Sequence, residues 1–224
     1  MRDMRNAQAA GAADLNAEHE LDGVQPQRDE SAGGQLSTPA DLPTKHGQFK
    51  IRVFQDLEGR DHVVVYKGDP ADGHNVPLRI HSQCLTSEVF HSLRCDCSQQ
   101  LAAALDYFEQ EGAGVLIYLR QEGRGIGLFN KIQAYTLQDD GLDTVEANAK
   151  LGLPDDARTY EVAIAILRLL RIRSARLMTN NPLKIDAMKW HDFEITERIP
   201  ISIEPNPFNG AYLNTKKTKM DHLI

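Results

Sequence analysis

The sequence is poor in cysteine and tryptophan, with three and one respectively among 224 residues. It also has no long apolar run: nothing approaches the roughly 20 apolar residues of a membrane span. The segment from Met1 to Gly23 lacks the apolar core of a secretory signal, so a cytoplasmic protein is expected. Excess positive charge is missing as well, since 25 Lys and Arg stand against 32 Asp and Glu, a net charge of −7. That balance excludes a general nucleic-acid binder or a polybasic membrane binder, both of which need clustered Lys and Arg. It does not exclude a basic pocket that holds a small anion. The three cysteines, Cys84, Cys95 and Cys97, form an odd, tight cluster, which is a poor disulfide framework and points to a metal site.

Aromatic residues are absent from the first 43 positions, where eight acids face three bases. Such a segment cannot bury enough apolar surface to offset its ordering entropy, and residues 1–43 are expected to be disordered or loosely attached. From Thr44 onward the patterning changes. Alternation over Phe49–Phe54 and the β-branched run His62–Lys67 predict strands. Val76–His81 predicts a third, whose Pro77 points to a sheet edge or an early strand position. Ser98–Glu111 places Leu101, Ala104, Leu105 and Phe108 on one helical face, and Gly112 ends it. Further strands are expected at Gly114–Arg120, Ala175–Thr179 and Phe193–Ile199. Further helices are expected at Ile126–Gln138, Thr159–Leu170 and Pro182–Trp190, the last with Pro in its first turn. Strands first, then alternating helices and strands, indicate one α+β or mixed α/β domain with a mixed sheet over residues 44–224.

The segment His81–Cys97 reads HSQCLTSEVFHSLRCDC, with spacing Cys-x10-Cys-x-Cys. Three thiolates bind zinc well and leave one tetrahedral position open for water, whose pKa then falls to about 7. Spacing alone also allows a closed structural site with His81 or His91 as fourth ligand, or three unrelated buried cysteines.

This segment, together with RQEGRGIGLFNKIQAYTLQDDGLDTVEAN (Arg120–Asn148), resembles GTP cyclohydrolase II. The likeness continues through LGLPDDARTY (Leu151–Tyr160), LMTNNPLK (Leu177–Lys184) and NTKKTKMDHL (Asn214–Leu223). The resemblance implies a homodimeric enzyme of riboflavin biosynthesis. Such an enzyme removes pyrophosphate from GTP, expels C8 of guanine as formate and leaves a diaminopyrimidinone ribosyl phosphate. It implies Zn2+ on Cys84, Cys95 and Cys97, with Arg94 and Asp96 tuning the ion from behind, and Mg2+ with the triphosphate. It implies that Tyr135 assists attack at C8, that Asp156 accepts a proton and that Arg158 is the nucleophile toward the α-phosphate. An arginine stays protonated at physiological pH, so a guanidinium gripping phosphate is the physically sounder role for Arg158. Asp155 is the neighbouring candidate for the acid. The resemblance also implies GTP contacts from Arg79, Ile80, His81, Ser82, Gln83, Gln100, Glu122, Gly123, Arg124, Thr144, Thr179 and Lys184. Of these, Arg79, Arg124 and Lys184 carry the charge for a triphosphate, and Glu122 has the acceptors for the N1–H and amine of guanine.

Some relatives carry a preceding dihydroxybutanone-phosphate synthase domain, which is not expected in the 43 residues available here. The sequence departs from the family pattern at Gln83 (usually Glu), at Ser87-Glu88 (usually Gly-Asp) and at Ser98 (usually Gly). These departures leave two alternatives: a paralogue that stops at a formylated product or serves a specialised pathway, and a non-enzymatic nucleotide-binding module.

Overall fold

In the computed structural model, which describes residues 27–29, 33–220 and 222–223, nine strands build one mixed sheet. They are β1 (Gln27–Asp29), β2 (Gly34–Leu36), β3 (Ala40–Thr44), β4 (Gly47–Asp56), β5 (Asp61–Lys67), β6 (Val76–Ser82), β7 (Gly114–Leu119), β8 (Ser174–Met178) and β9 (Glu194–Ile199). The helices are α1 (Leu85–Glu88), α2 (Cys97–Glu111), α3 (Gly127–Asp139), α4 (Thr144–Lys150), α5 (Glu161–Leu169), α6 (Pro182–Trp190) and α7 (Gly210–Lys219). The sheet runs β1-β2-β4-β5-β7-β6-β8-β9, with β3 on the outer part of β4. The first half pairs antiparallel, whereas β7, β6, β8 and β9 are parallel. The mixed α/β domain expected from the sequence is therefore present. No helix among the described residues is long and apolar enough to cross a membrane.

Two expectations differ from what is observed. First, residues 27–29, 34–36 and 40–44 form strands, although the sequence places them in a loose tail. Backbone pairing makes no demand for apolar side chains, and one residue, Leu36, is enough to anchor β2 by full burial. Gly34 permits the approach, because a Cβ there would lie 2.4 Å from the Phe54 ring. Residues 1–26 and 30–32 lie outside the described residues. Second, β6 is an interior strand, not an edge. Pro77 is tolerated because it is the second residue of the strand, ahead of the β7 pairing that begins at Leu78.

Alternation along β6 sets up the site. Val76, Leu78 and Ile80 point to the larger core, where they meet α5 (Ala163, Ile164, Ile166, Leu167) and Met188 of α6. Each fully buried aliphatic side chain there contributes about 1.5–3 kcal/mol. Arg79 and His81 point to the opposite face, where Ala104 and Phe108 of α2 cover Leu116 and Met178. The carboxyl ends of the parallel strands β6, β7 and β8 come out side by side, the usual position of a ligand crevice in such sheets.

Candidate active site

Each parallel strand delivers a loop to one cleft. β6 ends in Ser82, Gln83 and Cys84. β7 leads into a 3-10 turn over Glu122–Gly125, and β8 leads into Thr179, Asn180 and Asn181. The cleft encloses about 1210 Å³ with its mouth included, at the large end of small-molecule sites. Of the expected site residues, all but Ile80 and Asp156 line it. Ile80 contributes its carbonyl, which accepts from Lys184 Nζ at 2.6 Å, while its side chain is in the core. Asp156 stands behind Arg158.

The three sulfurs occupy one corner. Cys84 precedes α1 and Cys97 opens α2, so two helix starts bring the ligands together. All three Sγ atoms lie within 4.8 Å of one another, and Cys84 and Cys95 are 3.7 Å apart. Sulfurs on a tetrahedral ion at about 2.3 Å are separated by about 3.8 Å, so the corner fits zinc. The cysteines are free thiols. Hydrogen bonds from Cys95 and Cys97, with help from Lys131, pull the Cys84 thiol below its usual range, and the same coupling pushes Cys95 and Cys97 up. Neither histidine alternative completes a closed site, because neither His81 nor His91 belongs to the cluster.

Tyr135 faces this corner from α3. Its hydroxyl is 3.3 Å from Thr86 Oγ1, and Arg94 covers its ring at 4.8 Å. Burial pushes its pKa up, so the phenol stays protonated. One helical turn earlier, Lys131 reaches Cys84 Sγ (3.2 Å), Thr86 Oγ1 (3.0 Å) and Glu122 Oε1 (2.8 Å). The sequence reading missed Lys131, although its four-residue spacing from Tyr135 marks the same helix face. Glu122 lines the cleft and is also held by its neighbours. Its carboxylate accepts from Leu85 N (2.7 Å), Gly123 N (3.0 Å) and Lys131, which occupies three of its roughly four acceptor positions. Glu122 is thereby a strut between the 3-10 turn and the metal corner.

Cations line the opposite wall. Arg79 is buried, donates to Met178 O (2.9 Å) and to Gln100, and burial lowers its pKa to about 10. Lys184 is buried too, and desolvation with the nearby charges of Arg79 and Arg158 drives its pKa down. Arg158 forms a fork on Asp156, with Nε to Oδ1 at 2.8 Å and Nη2 to Oδ2. Burial alone would lower Arg158, but the Asp156 hydrogen bonds outweigh it and raise the pKa. Burial would raise Asp156, and Arg158 outweighs that in turn, so the carboxyl titrates below its usual range. Arg124 sits at φ +59°, and both of its Nη atoms are buried without a hydrogen-bond partner among the described residues. Its carbonyl accepts from Ala157 N at 2.9 Å, tying the 3-10 turn to the Asp156–Arg158 loop. Gly125 permits that contact, since at φ +91° a Cβ would lie 2.8 Å from Ala157 O. Thr144 opens α4 beside the Asp143–Glu146 capping box, and Thr179 Oγ1 accepts from Asn181 N at 3.0 Å at the start of α6.

Two of the departures from the family pattern, Ser87 and Glu88, have well-defined local partners. Ser87 is fully buried, and its hydroxyl accepts from Ser98 N at 3.0 Å. It thus satisfies a free donor in the first turn of α2, where the Asp96 side chain makes no cap. Glu88 accepts from Tyr118 and engages His81, whose ring stacks on Tyr118 with centroids 5.7 Å apart. Gln83 projects into the cleft. Tyr212, Lys216 and His222 also line it; the motif Asn214–Leu223 holds the last two, but no role followed from it in the sequence.

A family model described as GTP cyclohydrolase II matches residues 35–200. A protein named GTP cyclohydrolase-2 from Picrophilus torridus is 51% identical over 185 residues, 83% of this chain and 96% of its own length. One of the same name from Acinetobacter baumannii is 51% identical, covering 81% of this chain and 92% of its own. The riboflavin biosynthesis protein RibBA of Chlorobium phaeovibrioides is 49% identical over 85% of this chain, which spans only 47% of that longer protein.

Proposed function

The chain belongs to the GTP cyclohydrolase II family, and on that premise we propose that it hydrolyses GTP. The imidazole ring opens at C8, formate and pyrophosphate leave, and a diaminopyrimidinone ribosyl phosphate remains as the first intermediate of a riboflavin or related pathway. One observation carries this reading: a three-thiol corner and a wall of buried cations face each other across a single cleft.

Cys84, Cys95 and Cys97 would hold zinc, which supplies Lewis acidity and activates water near neutral pH. Magnesium would accompany the triphosphate as a hard, oxygen-binding cation. Lys131 offsets thiolate charge at Cys84 and, with Thr86, fixes the Tyr135 hydroxyl toward the corner. Arg158 grips the α-phosphate with the guanidinium that Asp156 orients, and Arg79, Arg124 and Lys184 hold the remaining phosphate oxygens. Three free thiols need a reducing compartment to stay metal-competent, which supports a cytoplasmic location.

The test is direct. Protein loaded with zinc and magnesium is incubated with GTP, and products are identified by mass. Formate, pyrophosphate and the diaminopyrimidinone are expected, and unchanged GTP overturns the proposal. Gln83, where the resemblance has Glu, favours a second outcome, arrest at the formylated product, which the same mass measurement separates.

We further propose a homodimer, supported by the apolar side chains Leu128, Phe129 and Ile132 exposed on α3, with Phe129 78% accessible. The solution mass is expected to be twice that of the chain, and Phe129→Asp is expected to give a monomer by light scattering. A wild-type monomer overturns this assignment.

A further inference from the structure

The stretch from α7 to Leu223 lies beyond the residues matched by the family model, yet it forms one wall of the cleft. Polar contacts hold it there. Lys219 pairs with Asp143 and Glu146 at the start of α4, and Leu223 N donates to Asn180 O at 2.9 Å. Lys216 Nζ donates to Asp96 Oδ1 at 2.8 Å, with both side chains less than a tenth exposed. The other Asp96 oxygen accepts from Gln100, and Gln100 accepts from Arg79. A hydrogen-bonded chain therefore runs from the C-terminal helix to a cation on β6.

Tyr212 joins the same wall. Its ring lies under Lys216 at 4.4 Å and under Arg124 at 5.7 Å. Burial and the charges of Lys216, Arg124, Arg158 and Lys184 lower the His222 pKa to about 3, so His222 remains neutral among them. Apart from Arg94 and Lys131 at the thiol corner, the cleft thus gathers five basic side chains, Arg79, Arg124, Arg158, Lys184 and Lys216, against the two carboxylates that pair with them here, Asp96 and Asp156. Buried positive charge in excess of its partners is costly, and a bound polyanion relieves that cost.

We propose that Lys216 is a triphosphate-binding residue, carried into the substrate site by α7 and resting on Asp96 until phosphate oxygens take its ammonium. Lysine suits the role, because its compact charge on a flexible stem can exchange one oxygen partner for another. The inference rests on the GTP reading above. The competing explanation is that Lys216 only neutralises Asp96 between two thiols, and the two differ in what they predict for ligand length.

Calorimetric titrations of the zinc-loaded protein with the α,β-methylene analogue of GTP, with guanosine monophosphate and with guanosine separate them. Lys216→Met is expected to weaken the triphosphate by about tenfold or more, a loss in the range of one charge-assisted hydrogen bond. It should weaken the monophosphate less and leave guanosine unchanged. Lys216→Arg should recover most of the loss. An equal loss for all three ligands, a loss explained by missing zinc or a lowered Tm, or no loss at all overturns the inference. A wild-type protein that binds the triphosphate no better than guanosine defeats the GTP reading instead, so the two failures are distinguishable.

Discussion

Cys95→Ser is expected to abolish formate release, with a fall of about a thousandfold or more, because the group that activates water is lost with its ligand. Cys95 is the most informative choice of the three. It is buried, sits 3.7 Å from Cys84 and makes no contact with the cation wall, so its loss leaves the phosphate side intact. A serine hydroxyl is a poor ligand where thiolates select the ion. The measurement is formate by coupled assay together with zinc per chain by atomic absorption. Both should drop. A variant that still releases formate would show that the thiol corner is not the site of ring opening. A variant that keeps its zinc but loses formate would move Cys95 from ligand to another role.

Arg158→Ala is expected to lower turnover by about 100- to 1000-fold, the range seen when a preorganised electrostatic donor is removed. Arg158→Lys should recover little, since a point charge cannot reproduce the fork that Asp156 aligns. The charge states argue for this role. Asp156 holds the guanidinium more firmly protonated, and Arg158 holds the carboxyl more firmly ionised. Each makes the other a worse partner for giving up or taking a proton. A nucleophilic Arg158 would have to shed a proton against that bias. Mass spectrometry of rapidly quenched protein should accordingly show no nucleotide adduct on Arg158. An adduct there, or full activity in Arg158→Ala, would refute the electrostatic assignment.

The residues that carry chemistry in this chain differ in how visible they are from sequence. β4 to β9 and the helices α2, α3, α5 and α6 announce themselves by period, because each buries one face or both. β1, β2 and β3 do not, because they are short and join the sheet by backbone pairing, which leaves no apolar period to read. Pro77 was legible as an anomaly but not as an interior one, since a single residue of offset along β6 decides whether its missing N–H matters. The thiol corner was legible from spacing and resemblance together. The Glu122 strut was not, because a carboxylate facing substrate and one facing Leu85 N and Lys131 look alike in a string of letters. Lys216 was hidden for another reason: in α7 it is one of several lysines, and only the fold selects the one that reaches Asp96.

The position of β6 also bears on how the site comes into being. This strand forms the floor of the cleft, yet both of its sheet neighbours lie well along the chain: β7 follows only after α1 and α2, and β8 only after α5. Val76 must find Ala175 of β8, and Leu78 must find Val115 of β7. Pairings so distant slow folding, because the chain must close large loops before any contact rewards it. During synthesis the thiols at 84, 95 and 97 emerge well before the strand that completes the sheet beneath them. For that interval they are open to solvent, not yet screened by the finished sheet.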